Sequence, residues 1–178
     1  MVDLPLLTLF LALTGMVVAI SWPALRARQV YGVYRMLAFE ALVLLFALNV
    51  GRWFEYPLAA HQVISWTLLI GSLGLAVHGA HLLRTVGQSQ ERVIEETRTV
   101  VEVGAYRYIR HPLYASLLLL GWGMFFKGID WPGLILAGAA TIFLFATARC
   151  EERFNLERLG DAYRVYMGRT RMFIPFVL

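Results

Sequence analysis

Long runs of apolar residues alternate with short polar segments along this chain. A transmembrane helix needs roughly 20 apolar residues, and fewer where neighbouring helices shelter it. The pattern therefore predicts an all-α, polytopic membrane helix bundle of about five transmembrane helices. The predicted spans are about Leu4–Leu25, Met36–Val50, Leu58–Leu83, Pro112–Phe126 and Trp131–Ala148.

The polar segment after Ala148 predicts a further helix outside the membrane. Phe154, Leu159, Tyr163 and Tyr166 recur there at roughly helical spacing. Gly160 is expected to interrupt this helix, and Gly168 is expected to end it.

Composition supports a membrane location. Hydrophobic residues make up 59% of the 178 residues, and charged residues only 16%, whereas a soluble domain has roughly 45–50% and roughly 25%. The one cysteine, Cys150, excludes an intramolecular disulfide framework. Because Met1–Asp3 lacks a basic stretch, the first run is interpreted as a retained helix and not as a signal peptide. We expect a single membrane-embedded domain over residues 1–178, with three N-terminal spans in 1–83.

The distribution of basic residues predicts the orientation. With the N-terminus outside and five spans, Arg52 and Lys127 are the only ones of the 16 lysines and arginines on the outer side. The positive-inside rule strongly favours this arrangement. It places segment 84–111 and the C-terminal tail in the cytoplasm, beneath the inner membrane of the cell. It also explains the net charge of +4 without a nucleic-acid partner.

The most informative segment is Gly104–Tyr114, here called the polar knot, which places Arg110 and His111 at the start of an apolar helix. Charged groups at membrane depth are costly and indicate function. Pro112 in the first helical turn leaves the following N–H groups free for a carboxylate, and aromatic faces can attract a cation. The knot therefore suits a ligand with both charges. An interfacial belt of tyrosine and arginine is the open alternative.

A second polar cluster follows the fifth span and consists of Arg149, Glu151 and Glu152. Adjacent carboxylates can bind an ammonium group or ribose hydroxyls. The alternative is a solvated helix face paired with Arg153 and Arg158. If the fourth and fifth spans form a hairpin, the cluster lies beside the polar knot.

Other polar residues in the spans carry weaker signals. His78 and His81 share a helix face, but no Asp, Glu or Cys completes a set at metal-ligand spacing with them and His111. We therefore predict no metal site. Glu40 is either protonated and hydrogen-bonded or in contact with a polar headgroup, and the sequence leaves both open.

Three strings together resemble the isoprenylcysteine carboxyl methyltransferase superfamily, which also includes membrane phospholipid N-methyltransferases. They are Val100-Val-Glu-Val-Gly104-Ala-Tyr106-Arg-Tyr-Ile-Arg110-His111-Pro112-Leu-Tyr114, Glu151-Glu152, and Leu159-Gly160-Asp-Ala-Tyr163-Arg-Val-Tyr166. The resemblance covers roughly residues 84–176. It implies that residues 84–178 form a methyltransferase-like half that binds S-adenosyl-L-methionine in a pocket capped by the cytoplasmic loop and the C-terminal helix.

The resemblance also implies roles for individual residues. Glu152, His111 and Arg149 are expected to be catalytic, and Glu152 or His111 would take a proton from an amine acceptor. The implied cofactor-binding residues are Arg98, Thr99, Val100, Val101, Gly104, Tyr106, His111, Pro112, Tyr114 and Glu151.

The chain departs from the family pattern at two positions. Carboxyl methyltransferases of the family place a substrate-binding Arg four residues before the matching Glu, and Thr147 stands there. Arg149 is two residues before Glu151, a rotation of about 200° on a helix, so it would face away. Arg98 replaces a His that often opens the loop element.

The expected function is S-adenosylmethionine-dependent methylation of a lipidic or hydrophobic acceptor at the cytoplasmic membrane face. The acceptor would be an isoprenylcysteine carboxylate, a phospholipid amine or a thiol. Two alternatives remain from the residues alone: a non-catalytic lipid-binding membrane module, and a nicotinamide-dependent membrane reductase of similar architecture.

Overall fold

A computed structural model describes residues 4–26, 29–87 and 100–175. These residues form α-helices and short 3₁₀ turns without a strand, so the predicted all-α class is confirmed. The helices are α1 (Leu4–Arg26), α2 (Val30–Asn49), α3 (Ala60–Thr85), α4 (Pro112–Phe125), α5 (Trp131–Leu159) and α6 (Asp161–Arg169). The 3₁₀ turns are Val50–Arg52 and Gly104–Arg107.

The helices indicate a multi-pass membrane protein. Of the described helices, α1, α2, α3 and α5 are long and apolar enough to cross a membrane. The apolar helix α4 is shorter, with 14 residues, as the short fourth run predicted. The described residues thus contain four or five spans.

Two predicted boundaries were wrong. Helix α2 begins at Val30 and not at Met36, so Arg35 lies inside the helix, with its guanidinium 5.6 Å from the centroid of the Tyr31 ring. Helix α5 continues past Ala148 to Leu159, because the polar residues that follow contain neither Gly nor Pro and favour a helix. Gly160, at φ +59°, then separates α5 from α6 as expected.

The fold consists of two compact units whose boundaries fall inside α3, α4 and α5. The first contains the chain up to Leu69 together with Leu120–Cys150, and the second contains Ile70–Leu119 and the chain from Glu151 onward. Each unit therefore takes its residues from two stretches of the chain.

The first unit holds a buried lysine. Lys127 Nζ donates to Gln62 Oε1 at 2.9 Å and to the carbonyl of Trp53 at 3.3 Å, and it lies 3.6 Å from the centroid of the Trp66 ring. These contacts provide each ammonium N–H with an oxygen or a π face. They join the turn before α3 to the turn before α5.

Glu40 also lies in the first unit. The hydroxyl of Thr14 donates to Glu40 Oε2 at 3.1 Å. This hydrogen bond joins α1 to α2.

Candidate functional site

The polar knot begins with a tight turn that only glycine can form. Gly104 has φ +56°, and a Cβ at this position would lie 2.5 Å from His78 Nε2 and 2.6 Å from Leu82 Cδ1. The next N–H, of Ala105, donates to His78 Nε2 at 3.3 Å. The turn is therefore seated on α3, and it directs Tyr106 into the interior, where it is buried.

The second unit contains an open cavity with an empty volume of about 570 Å³, including its mouth. Its walls come from the end of α3, the polar knot with the start of α4, and the end of α5 with α6. The lining residues are Leu83, Val100, Val101, Tyr106, Arg110, His111, Leu113, Tyr114, Glu151, Asn155, Leu159, Tyr163 and Tyr166.

The start of α4 meets the end of α5 in this cavity. The Tyr114 hydroxyl donates a short hydrogen bond to Glu151 Oε1, and both side chains are buried. The predicted approach of the acidic cluster to the polar knot is therefore confirmed. A phenol hydroxyl that donates to a carboxylate forms a charge-assisted bond, which fixes the direction of Glu151.

The two neighbouring glutamates have different partners. Arg110 Nε lies 2.6 Å from Glu152 Oε1, in a pair whose side chains are only 10% and 4% exposed. The guanidinium therefore balances the charge of Glu152. Glu151 lines the cavity, whereas Glu152 is not among the lining residues.

His111 is buried between these two carboxylates. Its Nε2 is 3.5 Å from Glu152 Oε1 and its Nδ1 is 4.0 Å from Glu151 Oε2, distances that are long for hydrogen bonds. Burial lowers the pKa of His111 below its ordinary value, although Glu152 acts in the opposite direction. The imidazole is therefore neutral at neutral pH. Its ring stacks on Tyr114, with the centroids 5.7 Å apart.

Helix α6 supplies two further phenols to the cavity. The Tyr166 hydroxyl donates to the carbonyl of Tyr106 at 2.7 Å, which docks α6 on the polar knot. Burial raises the pKa of Tyr163 to about 12 and also raises the pKa of Tyr166. Both phenols therefore keep their protons and can donate hydrogen bonds at neutral pH.

The segment 170–173, here called the C-terminal strap, pairs with the polar knot through its backbone. The N–H groups of Arg110 and His111 donate to the carbonyls of Arg171 and Met172 at 2.7 and 3.1 Å. The N–H of Arg171 donates to the carbonyl of Tyr108 at 3.0 Å. The strap brings the Phe173 ring to within 6.0 Å of the His111 ring, centroid to centroid.

The structure brings six of the twelve sequence-predicted site residues to one cavity. Gly104 forms the turn and Pro112 is buried at the start of α4. Arg149 is exposed, and its guanidinium lies 5.2 Å from the centroid of the Phe145 ring. Arg98 and Thr99 lie outside the described residues. The predicted residues that line the cavity are Val100, Val101, Tyr106, His111, Tyr114 and Glu151.

Sequence reasoning missed several lining residues that a helical pattern could have found. Asn155 and Leu159 follow Glu151 at intervals of four, and Tyr163 and Tyr166 continue the series beyond Gly160.

 This spacing places Asn155 on the face of α5 that carries Glu151. The strap had no comparable signal, since its contacts are made by backbone groups.

The sequence is similar to those of known methyltransferases. The family model for phospholipid methyltransferases matches residues 60–162, more than half of the chain. Methanethiol S-methyltransferase 1 of Bradyrhizobium diazoefficiens is 32% identical over 71 residues, which are 40% of this chain and 24% of that protein. Methanethiol S-methyltransferase of Crocosphaera subtropica is 31% identical over 72 residues, 40% of this chain and 28% of that protein. The matches thus span about a quarter of these relatives. The family match shows that the chain belongs to the phospholipid methyltransferase family.

Proposed function

We propose that the protein is an S-adenosylmethionine-dependent methyltransferase that acts on a lipidic or hydrophobic acceptor at the cytoplasmic membrane face. The family supports methyl transfer. The observation that carries the cofactor assignment is the cavity, in which the buried carboxylate of Glu151 lies beside phenols and a neutral imidazole. The excess of arginine on one side of the spans supports the cytoplasmic location.

The chemistry of the lining residues fits this cofactor. Glu151 can accept hydrogen bonds from an ammonium group or from ribose hydroxyls. The first turn of α4, which begins at Pro112, provides N–H groups and a partial positive charge for a carboxylate. The aromatic faces of Tyr106 and Tyr114 suit a sulfonium cation.

When bound, the cofactor supplies an electrophilic methyl group on a positively charged sulfur. The protein's residues bind it, orient it towards the acceptor and exclude water, which together can provide much of the rate enhancement. An amine acceptor must also lose a proton. His111 is the better base, because it is neutral while Glu152 is held in an ion pair with Arg110. A thiolate acceptor needs no base.

Two acceptor classes have specific support. The family description favours a phospholipid amine, whereas the names of the two relatives favour a small thiol. The apolar wall formed by Leu83, Val101, Leu113 and Leu159 suits a hydrophobic group in either case. Assays with methyl-labelled cofactor against phosphatidylethanolamine, small thiols and prenylcysteine will identify the class, because the label is retained only in the methylated product.

Isothermal titration of the purified, folded protein tests the cofactor assignment. We expect saturable binding of S-adenosylmethionine, competition by S-adenosylhomocysteine, and no competition by NADPH. Competition by NADPH would favour the reductase alternative. An absence of heat from folded protein, confirmed by a second binding method, would remove the proposal.

The Tyr114→Phe variant should bind the cofactor about tenfold more weakly, because the change removes the hydroxyl that fixes Glu151 and keeps the ring, and a hydrogen bond to a charged group contributes about 1.5–3 kcal/mol. Titration of the variant measures the effect. Tyr108→Phe is the matched control, since Tyr108 is in the same knot but exposed. Equal affinities for the two variants would contradict the assigned role of Tyr114.

A further inference from the structure

We propose that Arg110 is a positioning residue for methyl transfer, which locks the C-terminal strap and the end of α5 onto the polar knot and thereby sets the wall of the cofactor cavity. This inference rests on the proposed function. Arg110 acts through the segments that it holds in place, and other residues contact the reacting atoms.

The guanidinium of Arg110 connects three stretches of the chain. Its Nε pairs with Glu152 of α5 at 2.6 Å. Its Nη1 donates to the carbonyl of Thr170 at 2.5 Å and to that of Met167, at the end of α6, at 3.3 Å. The planar guanidinium of arginine holds its N–H donors in a fixed, widely spaced geometry, which the compact ammonium of a lysine does not reproduce.

The side-chain contacts lie beside the backbone pairing of the same segments. The strap accepts N–H bonds from both Arg110 and His111, and it places Phe173 beside the His111 ring. If the guanidinium is removed, the strap loses its hydrogen bond from the Arg110 side chain and keeps the backbone bonds and the packing of Phe173. Since His111 is bonded to the strap, movement of the strap changes the position of a cavity residue.

Burial makes the lock energetically significant. The side chains of Arg110 and Glu152 are almost completely removed from solvent. A buried ion pair is screened much less than an exposed one. Removing one partner of such a pair leaves an uncompensated buried charge and is strongly destabilising locally. The exposed pair of Arg169 with Glu102, 3.6 Å apart and more than 40% exposed at each side chain, is expected to contribute little.

The experiment compares Arg110→Gln and Arg110→Lys with Arg107→Gln. Arg107 lies three residues earlier in the same knot, is exposed and serves as the matched control. For Arg110→Gln we expect the KM for S-adenosylmethionine to rise by at least about tenfold while kcat, at saturating cofactor, falls by less than about threefold. Amide hydrogen exchange in the peptide that contains residues 170–173 should accelerate by a similar factor. Arg110→Lys should lie between the wild type and Arg110→Gln, and Arg107→Gln should match the wild type.

The results separate the possible failures. A fall in kcat with an unchanged KM indicates only a smaller folded fraction and would overturn the positioning role, as would unchanged exchange in the strap. If Arg110→Gln does not fold, Arg110→Lys decides by the same two measurements. If the wild type does not bind the cofactor, the proposed function fails, while faster strap exchange in the Arg110 variants would still establish the lock.

Discussion

Glu151→Gln should weaken S-adenosylmethionine binding by about 10- to 150-fold. A hydrogen bond to a charged group contributes about 1.5–3 kcal/mol of free energy, which corresponds to this loss of affinity. The substitution keeps the size and shape of the side chain and removes its negative charge. In the proposed complex this carboxylate accepts from an ammonium group or from ribose hydroxyls. Isothermal titration of the variant measures the loss directly.

Glu157→Gln provides the matched control for this variant. Glu157 lies on the same helix, α5, but is exposed, so its neutralisation changes the overall charge by the same amount outside the cavity. We expect its cofactor affinity to equal that of the wild type. If both variants bind as the wild type does, and Glu151→Ala also binds normally, the cofactor site lies elsewhere.

The two adjacent carboxylates have different partners in the fold. Glu151 lines the cavity and accepts a hydrogen bond from Tyr114, and Glu152 forms an ion pair with Arg110. Successive residues on a helix point about 100° apart, which explains how neighbours in sequence reach different partners. We expected Glu151 to bind the cofactor and Glu152 to be catalytic, but the acidic pair alone did not indicate the partner of each glutamate in the fold, because these partners depend on tertiary contacts.

The membrane spans could be predicted from hydropathy, whereas the ends of the helices could not. The apolar run of the fifth span stops near Ala148, but α5 continues to Leu159. Hydropathy indicates where a bilayer environment ends, and a helix continues as long as its residues favour it. The same reason explains why α2 starts before Met36 and takes in Arg35.

Part of the candidate site followed from the sequence because it depends on side chains at recognisable spacing. The polar knot and the acidic pair meet as the predicted hairpin required. The C-terminal strap could not be predicted, since backbone N–H and carbonyl groups, which every sequence contains, pair it with the polar knot. The role of Arg149 stays a prediction; the structure places its side chain on Phe145 at the surface.

Gly104→Ala should reduce both stability and cofactor affinity strongly. At φ +56°, a residue with a Cβ is strained by about 1–3 kcal/mol. The new Cβ would also collide with His78 Nε2 and Leu82 Cδ1. Either these side chains or the turn must then shift, which disturbs the hydrogen bond between Ala105 and His78 and the seat of the turn on α3. Thermal unfolding in detergent and titration with S-adenosylmethionine measure the two losses.

Gly160→Ala separates backbone strain from steric collision. Gly160 also has a positive φ, +59°, but a Cβ there would meet nothing within 4 Å. We expect this variant to lose stability through strain alone and to keep more of its cofactor affinity than Gly104→Ala. A second comparison adds His78→Ala to Gly104→Ala, which removes one of the two colliding groups. Partial recovery of affinity in the double variant would show that the close approach of Gly104 to α3 holds the polar knot in place, because only coupled sites give such non-additive changes. Equal losses for the two glycines, with no recovery in the double variant, would mean that the collision contributes nothing.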